Sequence, residues 1–221
     1  MSGEILTVVW PWAALALLGA VHGLNPGMGW LFAVALGLQE RDGRAVWRAL
    51  GPLAAGHGVA IVAAIAVTAL LGTMLPLGVL KWAIAATLVG YGTSKLIRER
   101  HPRFGGMTVG PRDLTIWSAL MATAHGAGLM VVPFLLRAEE AMAGHAGHLA
   151  TTVLQAGPSH EVLGGLVATA LHTGGYLVVT GLVAVIVYHK LGLRLLGRVW
   201  VNIDRIWAGA LIITGLVTPL L

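Results

Sequence analysis

Four histidines lie inside long apolar stretches of this 221-residue chain, where an ionisable group is costly to bury. They are His22, His57, His125 and His172. Ionisable groups at such depth tend to be functional, and neutral imidazole is a ligand for zinc, copper, nickel and iron. The pattern predicts that the four rings converge and bind one transition-metal ion. The alternative is that each histidine only bonds a neighbouring helix, beside glycines that allow close packing.

The segment around His22 reads HGLNPGM and adds further candidate ligands. Pro26 lacks an N–H and the glycine after it frees the backbone, so the helix is predicted to be interrupted between His22 and Gly29. Unpaired carbonyls at such a break could coordinate an ion. The amide of Asn25 and the thioether of Met28 are second-rank ligands. Irregular backbone at this depth is tolerated where it lines a cavity, so the break predicts an ion-binding turn.

A weaker metal-binding candidate is the connection 137–161. It contains three histidines, which are His145, His148 and His160. His-x-x-His tracts bind metal weakly, and an ordinary solvated loop is the alternative.

Composition predicts an all-α, polytopic membrane protein. The chain is 57% hydrophobic and 10% charged, whereas a soluble domain is about 25% charged. Its apolar runs are continuous rather than alternating, and helices satisfy their own backbone in lipid. Six spans are predicted, at about 6–38, 49–71, 76–95, 114–136, 162–188 and 204–221. The first is too long for one straight crossing of about 20 residues, which agrees with a break inside it.

The distribution of charge predicts the topology. Lys and Arg concentrate in the first, third and fifth connections, and such residues mark the cytoplasmic side. Both termini are therefore predicted outside a cell (inner or plasma) membrane. The net charge is +5, and the basic residues lie between the apolar runs. The lipid bilayer, and not nucleic acid, is therefore the expected partner. A homo-oligomer is compatible with the sequence. The eight tryptophans fall mostly near span ends, as an aromatic belt would.

An internal repeat divides the chain into residues 1–100 and 101–221. LLGAVHGLNPGM resembles LMATAHGAGLM, AAGHGVAIVAAIAV resembles ATALHTGGYLVV, and WAIAATLVG resembles WAGALIITG, in the same order. Three spans is an odd number, so the second half is predicted to be inverted relative to the first. Inverted repeats with broken helices that meet at the midplane are a transporter architecture.

These features favour transport over catalysis. The chain has no cysteine for thiol chemistry, no Gly-rich nucleotide-binding loop, and no acidic residue deep inside a span to serve as a general base. The leading hypothesis is a secondary transporter of a transition-metal cation, working by alternating access with protons as counter-ions, and not an enzyme. The alternatives are a membrane haem protein with bis-histidine ligation and a proton-coupled exporter of small solutes or amino acids.

The first half of the chain resembles the nickel and cobalt efflux family of the lysine-exporter superfamily. The resemblance lies in HGLNPGM, the long apolar helix and basic connection after it, and AAGHGVAI. Members of that family often read His-Ala-Leu-Glu/Asp-Pro-Gly-His, with a further histidine on the next helix. The positions that match are His22, Pro26, Gly27 and His57. Asn25 and Met28 replace the acidic residue and the second histidine, which widens the expected ions to softer ones such as copper. Over residues 15–70, the resemblance implies a six-helix exporter of nickel, cobalt, copper or zinc.

Overall fold

The computed structural model describes residues 2–97, 110–145, 158–191 and 203–220, and every regular element in these ranges is helical. The predicted all-α class is therefore confirmed for the described residues. The α-helices are α1 (Ser2–Gly23), α2 (Trp30–Glu40), α3 (Gly43–Gly72), α4 (Leu77–Ile97), α5 (Pro111–Ala124), α6 (Ala127–His145), α7 (Pro158–Ile186) and α8 (Ile203–Val217). Short 3₁₀ turns cover Pro26–Met28 and Thr218–Leu220, and a π-helical turn covers Val187–Leu191.

The first apolar segment is broken where the sequence predicts it. Helix α1 ends at Gly23, a 3₁₀ turn follows, and α2 begins at Trp30. The side chain of Asn25 caps the turn by accepting a hydrogen bond of 2.9 Å from the N–H of Gly27. Gly29 then has φ +121°, a conformation that L side chains rarely adopt. A cap, a proline and a glycine thus separate two half-helices.

A second break lies inside the fourth predicted span, 114–136, where the sequence analysis predicts none. Helix α5 ends at Ala124, His125 caps it, and α6 begins at Ala127 with its axis bent by 64°. Gly126 has φ +71°, which allows the sharp change of direction. Both His-Gly pairs of the predicted repeat, at His22 and His125, therefore lie at the end of a half-helix.

Other helix ends also differ from the predicted spans. Arg41 takes the left-handed conformation that ends α2, and the carboxylate of Asp42 accepts a hydrogen bond of 2.9 Å from the N–H of Arg44 to start α3. Helix α6 runs on to His145 and α7 begins at Pro158, so much of the expected loop 137–161 is helical. His148 lies outside the described residues.

Three long helix pairs hold the fold together: α1 with α7, α3 with α5, and α4 with α8. In the α4–α8 pair, Gly92 faces the carbonyl of Ala208 and Gly215 faces the carbonyl of Ala85, so the two backbones approach closely at both contacts. Two apolar clusters result. The larger joins α1, α2, α3, α5, α6 and α7, and the smaller joins α4, α6 and α8.

The outward surfaces are apolar and suit a lipid environment. Large exposed side chains include Val59 and Leu70 on α3 and Val178 and Leu182 on α7. Helices over Gly43–Gly72 and Val162–Lys190 are long and apolar enough to cross a membrane, and the bent α5–α6 pair adds a third candidate among the described residues. The remaining apolar helices that were expected to span are shorter or less apolar.

Candidate metal centre

His22 is at the centre of a group of four imidazoles that come from four helices. Its ring centroid lies 5.0 Å from that of His57, 5.7 Å from that of His172 and 6.1 Å from that of His125. His57 and His172 are 5.5 Å apart and stacked, with 5° between their planes. Three of the rings are fully buried, and His125 is 4% exposed. We call these four residues the histidine cluster.

Glycines beside the histidines let the helices approach closely enough to form the cluster. A Cβ on Gly19, one turn before His22, would collide with the backbone carbonyl of His172 on α7. A Cβ on Gly56, next to His57, would collide with the carbonyl of Thr115 on α5. The sequence therefore places a glycine where α1 meets α7 and another where α3 meets α5.

The ring nitrogens of three cluster members have no hydrogen-bond partner. Both nitrogens of His22, His57 and His172 are buried and unpaired. The carbonyl of Leu15 lies close to His172, but neither nitrogen reaches it with hydrogen-bond geometry. His125 differs, because its Nδ1 lies 2.8 Å from the carbonyl oxygen of Met121. Buried polar atoms are normally paired, so six unpaired ring nitrogens in one cluster require an explanation.

Two aromatic residues complete the wall of the cluster. The ring of Tyr176 stacks on His57 with centroids 4.2 Å apart, and the indole of Trp207 meets His22 edge-on at 4.1 Å. The indole N–H of Trp207 also donates a hydrogen bond of 2.7 Å to the carbonyl of His125. Sequence reasoning missed both roles. Tyr176 lies four residues after His172 and so on the same helix face, which was the available signal.

The carbonyls at the break in the first segment all take part in hydrogen bonds, and ion binding by this turn stays a prediction. Each backbone carbonyl from residue 22 to residue 29 accepts a hydrogen bond. Backbone N–H groups supply four of these bonds. Side chains supply the others: Thr180 to Gly23 at 3.4 Å, Trp30 to Leu24 at 3.1 Å, Trp117 to Gly27 at 3.1 Å, and Tyr176 to Met28 at 2.7 Å. The break is a backbone turn held by side chains of α2, α5 and α7.

The two second-rank ligands have other roles in the structure. The side-chain oxygen of Asn25 caps the turn, while its amide nitrogen is buried without a partner. Met28 is fully buried in the larger apolar cluster. Metal ligation by either residue stays a prediction.

The imidazoles are close enough for one ion but are not aimed at it. Two imidazoles bound to one tetrahedral ion have centroids about 5 Å apart, given zinc–nitrogen bonds of about 2.0–2.1 Å. The separations of 5.0, 5.5 and 5.7 Å among His22, His57 and His172 are near this value. However, a ligand nitrogen points in the plane of its own ring, and the stacked rings of His57 and His172 have separate planes. Accordingly, no group of three or more His, Cys, Asp or Glu among the described residues has the geometry of a metal site.

The described tryptophans differ widely in exposure, and the aromatic belt stays a prediction. Trp30 is 6% exposed and Trp207 is 2% exposed, whereas Trp82 is 67% exposed. The indoles of Trp30, Trp117 and Trp207 all donate to carbonyls at the two helix breaks. Trp200 lies outside the described residues. Local bonding at the breaks therefore decides the position of several indoles.

A cavity of about 590 Å³ lies apart from the cluster, between α3, α4, α6 and α7. Its lining is mostly aliphatic, with Thr68, Thr73 and Lys81 as polar members, and it includes none of the four histidines. The chemistry suggested by the sequence is therefore not in this cavity.

Comparison of the chain with protein-family models, curated proteins and solved structures finds no match. Function is consequently inferred from the residues of the cluster and of the two breaks.

Proposed function

We propose that this protein is a secondary transporter that exports a transition-metal cation across the cell membrane through the histidine cluster. The ion is a borderline or soft cation of the nickel, cobalt, copper or zinc type, because imidazole suits these metals. Transport proceeds by alternating access of two inverted halves of three spans each, with both termini outside and protons as counter-ions. The chain carries out no covalent chemistry on its cargo.

The observation that carries the proposal is the set of unpaired nitrogens on His22, His57 and His172. A buried donor or acceptor that makes no hydrogen bond costs about 1–3 kcal/mol of stability. Six such atoms lie together here. A cation that accepts lone pairs from several neutral imidazoles would satisfy the acceptor nitrogens at once. Structural packing alone gives no reason to place three unpaired imidazoles against one another.

The arrangement favours a bare metal ion over haem. A haem between two histidines is bound by one ring nitrogen of each, so the macrocycle must fit between the two imidazoles. Tyr176 stacks on His57 at 4.2 Å and Trp207 meets His22 edge-on at 4.1 Å, so large side chains already fill space beside both rings. The rings of His22, His57 and His172 also lie only 5.0, 5.5 and 5.7 Å apart, which leaves no room for a macrocycle between any two of these three. A small ion, by contrast, needs only a turn of one or two side chains.

The packing of the helices supports the alternating-access part of the proposal. Exchange of the two halves converts the α1–α7 pair into the α5–α3 pair, and these are the two most extensive packing pairs between the halves. The same exchange maps α4 onto α8, which pack against each other. Each half also begins with a broken helix whose first part ends at a His-Gly pair, at His22 and at His125. These correspondences are those expected of an inverted repeat.

The half-helix ends favour a cation over an anion. His22 lies in the last turn of α1, and His125 is the C-terminal cap of α5. The C-terminal end of a helix carries a partial negative charge. Two such ends therefore meet at the histidine cluster.

Transport by purified protein in liposomes tests the proposal. Vesicles that contain a metal-sensitive dye are exposed to Ni²⁺, Co²⁺, Zn²⁺ or Cu⁺ in turn, and metal retained after dialysis is measured by mass spectrometry. Alanine variants are made at the four cluster positions, which are His22, His57, His125 and His172. Each is expected to lower uptake by about tenfold or more, since even indirect support of a ligand is worth that much.

His189→Ala is the matched control, because His189 contacts Tyr188 in the π-helical turn and lies outside the cluster. It should transport like the parent protein. Unchanged transport of every ion in all four cluster variants would refute the proposal. A visible haem spectrum, or accumulation of an organic solute without any metal dependence, would replace it with one of the alternatives.

A further inference from the structure

Tyr176 contacts both the histidine cluster and the break in the first segment. It lies on α7, is fully buried, and stacks on His57 with 12° between the ring planes. Its hydroxyl donates a hydrogen bond of 2.7 Å to the carbonyl of Met28, the last residue of the 3₁₀ turn. Tyr176 thus stacks on a cluster imidazole and also donates to a carbonyl of this break.

His57 must turn if it is to bind an ion together with His172. The two rings are now stacked, so their in-plane lone pairs cannot meet at one point. The other face-to-face neighbour of His57 is Tyr176, at 4.2 Å. A turn of His57 therefore removes a surface on which the Tyr176 ring rests, and the phenol is free to follow.

The hydroxyl of Tyr176 has other partners within reach. The hydroxyls of Ser118 on α5 and Thr180 on α7 lie next to its phenol oxygen. If the phenol leaves the carbonyl of Met28, it remains hydrogen-bonded while that carbonyl loses its donor. The turn at residues 26–28 then loses its shortest side-chain hydrogen bond. The surroundings thus offer Tyr176 two hydrogen-bonded positions.

We infer that Tyr176 is a positioning residue that couples ion occupancy of the cluster to the conformation of the break. This inference rests on the proposed transport function. In the described geometry, Tyr176 stacks on His57 and holds the turn. When His57 rotates onto an ion, Tyr176 releases the Met28 carbonyl, and the joint between α1 and α2 can change its angle. Ion binding is thereby linked to the helix movement that alternating access requires.

The test compares Tyr176→Phe with Trp117→Phe. Tyr176→Phe keeps the ring on His57 and removes the hydroxyl that bonds to Met28 and lies next to Ser118 and Thr180. Trp117→Phe removes the bond to Gly27 in the same turn, and the Trp117 indole packs edge-on against Phe32. Amide hydrogen exchange of residues 24–30 is measured with and without Ni²⁺ or Zn²⁺, alongside metal affinity and initial transport rate.

In the parent protein, metal is expected to change the exchange rate of the break by about five- to tenfold, which matches the loss of one hydrogen bond. Trp117→Phe should retain this response. Tyr176→Phe should bind metal within about threefold of the parent affinity, yet lose the response and show a maximal transport rate lower by a similar five- to tenfold factor. The metal concentration that gives half-maximal transport should stay the same.

Three results overturn the inference. The first is an undiminished metal response in Tyr176→Phe, and the second is an equal loss of response in Trp117→Phe. The third is a parent protein that binds metal without any change at the break. If the parent protein binds no ion at all, the proposed function fails as well, and that outcome is distinct from the others.

His57→Phe is the second variant if Tyr176→Phe proves too unstable. It keeps a ring stacked on Tyr176 and removes the imidazole that has to turn. Its break should not respond to metal, while the other three imidazoles still bind with reduced affinity. A normal response in this variant would contradict the inference.

Discussion

Replacing His172 with leucine should make the metal-free protein more stable. The two side chains have similar volumes, and leucine is the better helix former at this position inside α7. The change removes two buried ring nitrogens that have no partner. It also removes an imidazole whose ring centroid lies 5.7 Å from that of His22 and 5.5 Å from that of His57.

The expected gain follows from these two effects. An unmade buried hydrogen-bonding group costs about 1–3 kcal/mol, and each ring pair contributes about 0.5–1.5 kcal/mol. Removing two unpaired nitrogens stabilises the protein, and losing two modest ring pairs destabilises it. The free energy of unfolding of His172→Leu should therefore rise by about 2 kcal/mol. For a chain of this length, that corresponds to a rise in Tm of about 4–8 °C.

The assay is thermal unfolding in detergent with a chelator, followed by tryptophan fluorescence. His125→Leu is the matched control, because Nδ1 of His125 is bonded to the carbonyl of Met121 at 2.8 Å. The free energy of unfolding of His125→Leu should fall by about 1 kcal/mol, whereas that of His172→Leu should rise. With metal at about 100 times its Kd, the parent protein should gain about 2.7 kcal/mol, and His172→Leu should gain much less.

Destabilisation of His172→Leu in the absence of metal, to the same extent as His125→Leu, would refute this reasoning. That result would mean that both rings contribute ordinary packing. A metal-induced rise in Tm that is equal in the parent protein and in His172→Leu would remove His172 from the site.

Two further predictions concern glycines. Gly19→Ala should lower the free energy of unfolding by about 2 kcal/mol or more, because its Cβ would collide with the backbone of His172 and push α1 away from α7. Gly29→Ala should cost about 1–3 kcal/mol, since φ is +121° and the new Cβ would press on Leu53. Chemical or thermal unfolding measures both, with Gly174→Ala on α7 as the control, where a Cβ meets no atom within 4 Å. If Gly174→Ala lowered the free energy of unfolding as much as Gly19→Ala or Gly29→Ala, the steric explanation would be wrong.

The first break could be read from the sequence, and the second was missed for a physical reason. Pro26 and the glycines around it act on their own backbone, so their effect is visible locally. The second break depends on Gly126 at φ +71°, and no proline accompanies it. A glycine in an apolar run is ambiguous by itself. The predicted repeat contained the missing information, because under that repeat a broken helix ending at His22 implies one ending at His125.

The partners of the break could not be predicted from local sequence. Trp117 donates to a carbonyl 90 residues earlier, and Tyr176 to one 148 residues earlier. Such donors are identified only when the packing of α1 against α7 and of α5 near the turn is known. Sequence patterns therefore selected the four imidazoles, whereas their orientation and the paired state of the nearby carbonyls required the structure.

The pairing of α1 with α7 also constrains the order in which the chain can fold. Residues 19 and 172, which touch at this contact, are about 150 residues apart in the sequence. At about 5–20 residues per second, a ribosome needs about 8–30 s to synthesise the stretch between them. During that interval the small-residue face of α1 has no partner, and α3 likewise waits for α5. The first half of this protein cannot complete its packing before the second half exists, so assembly of the fold is a late event of biosynthesis.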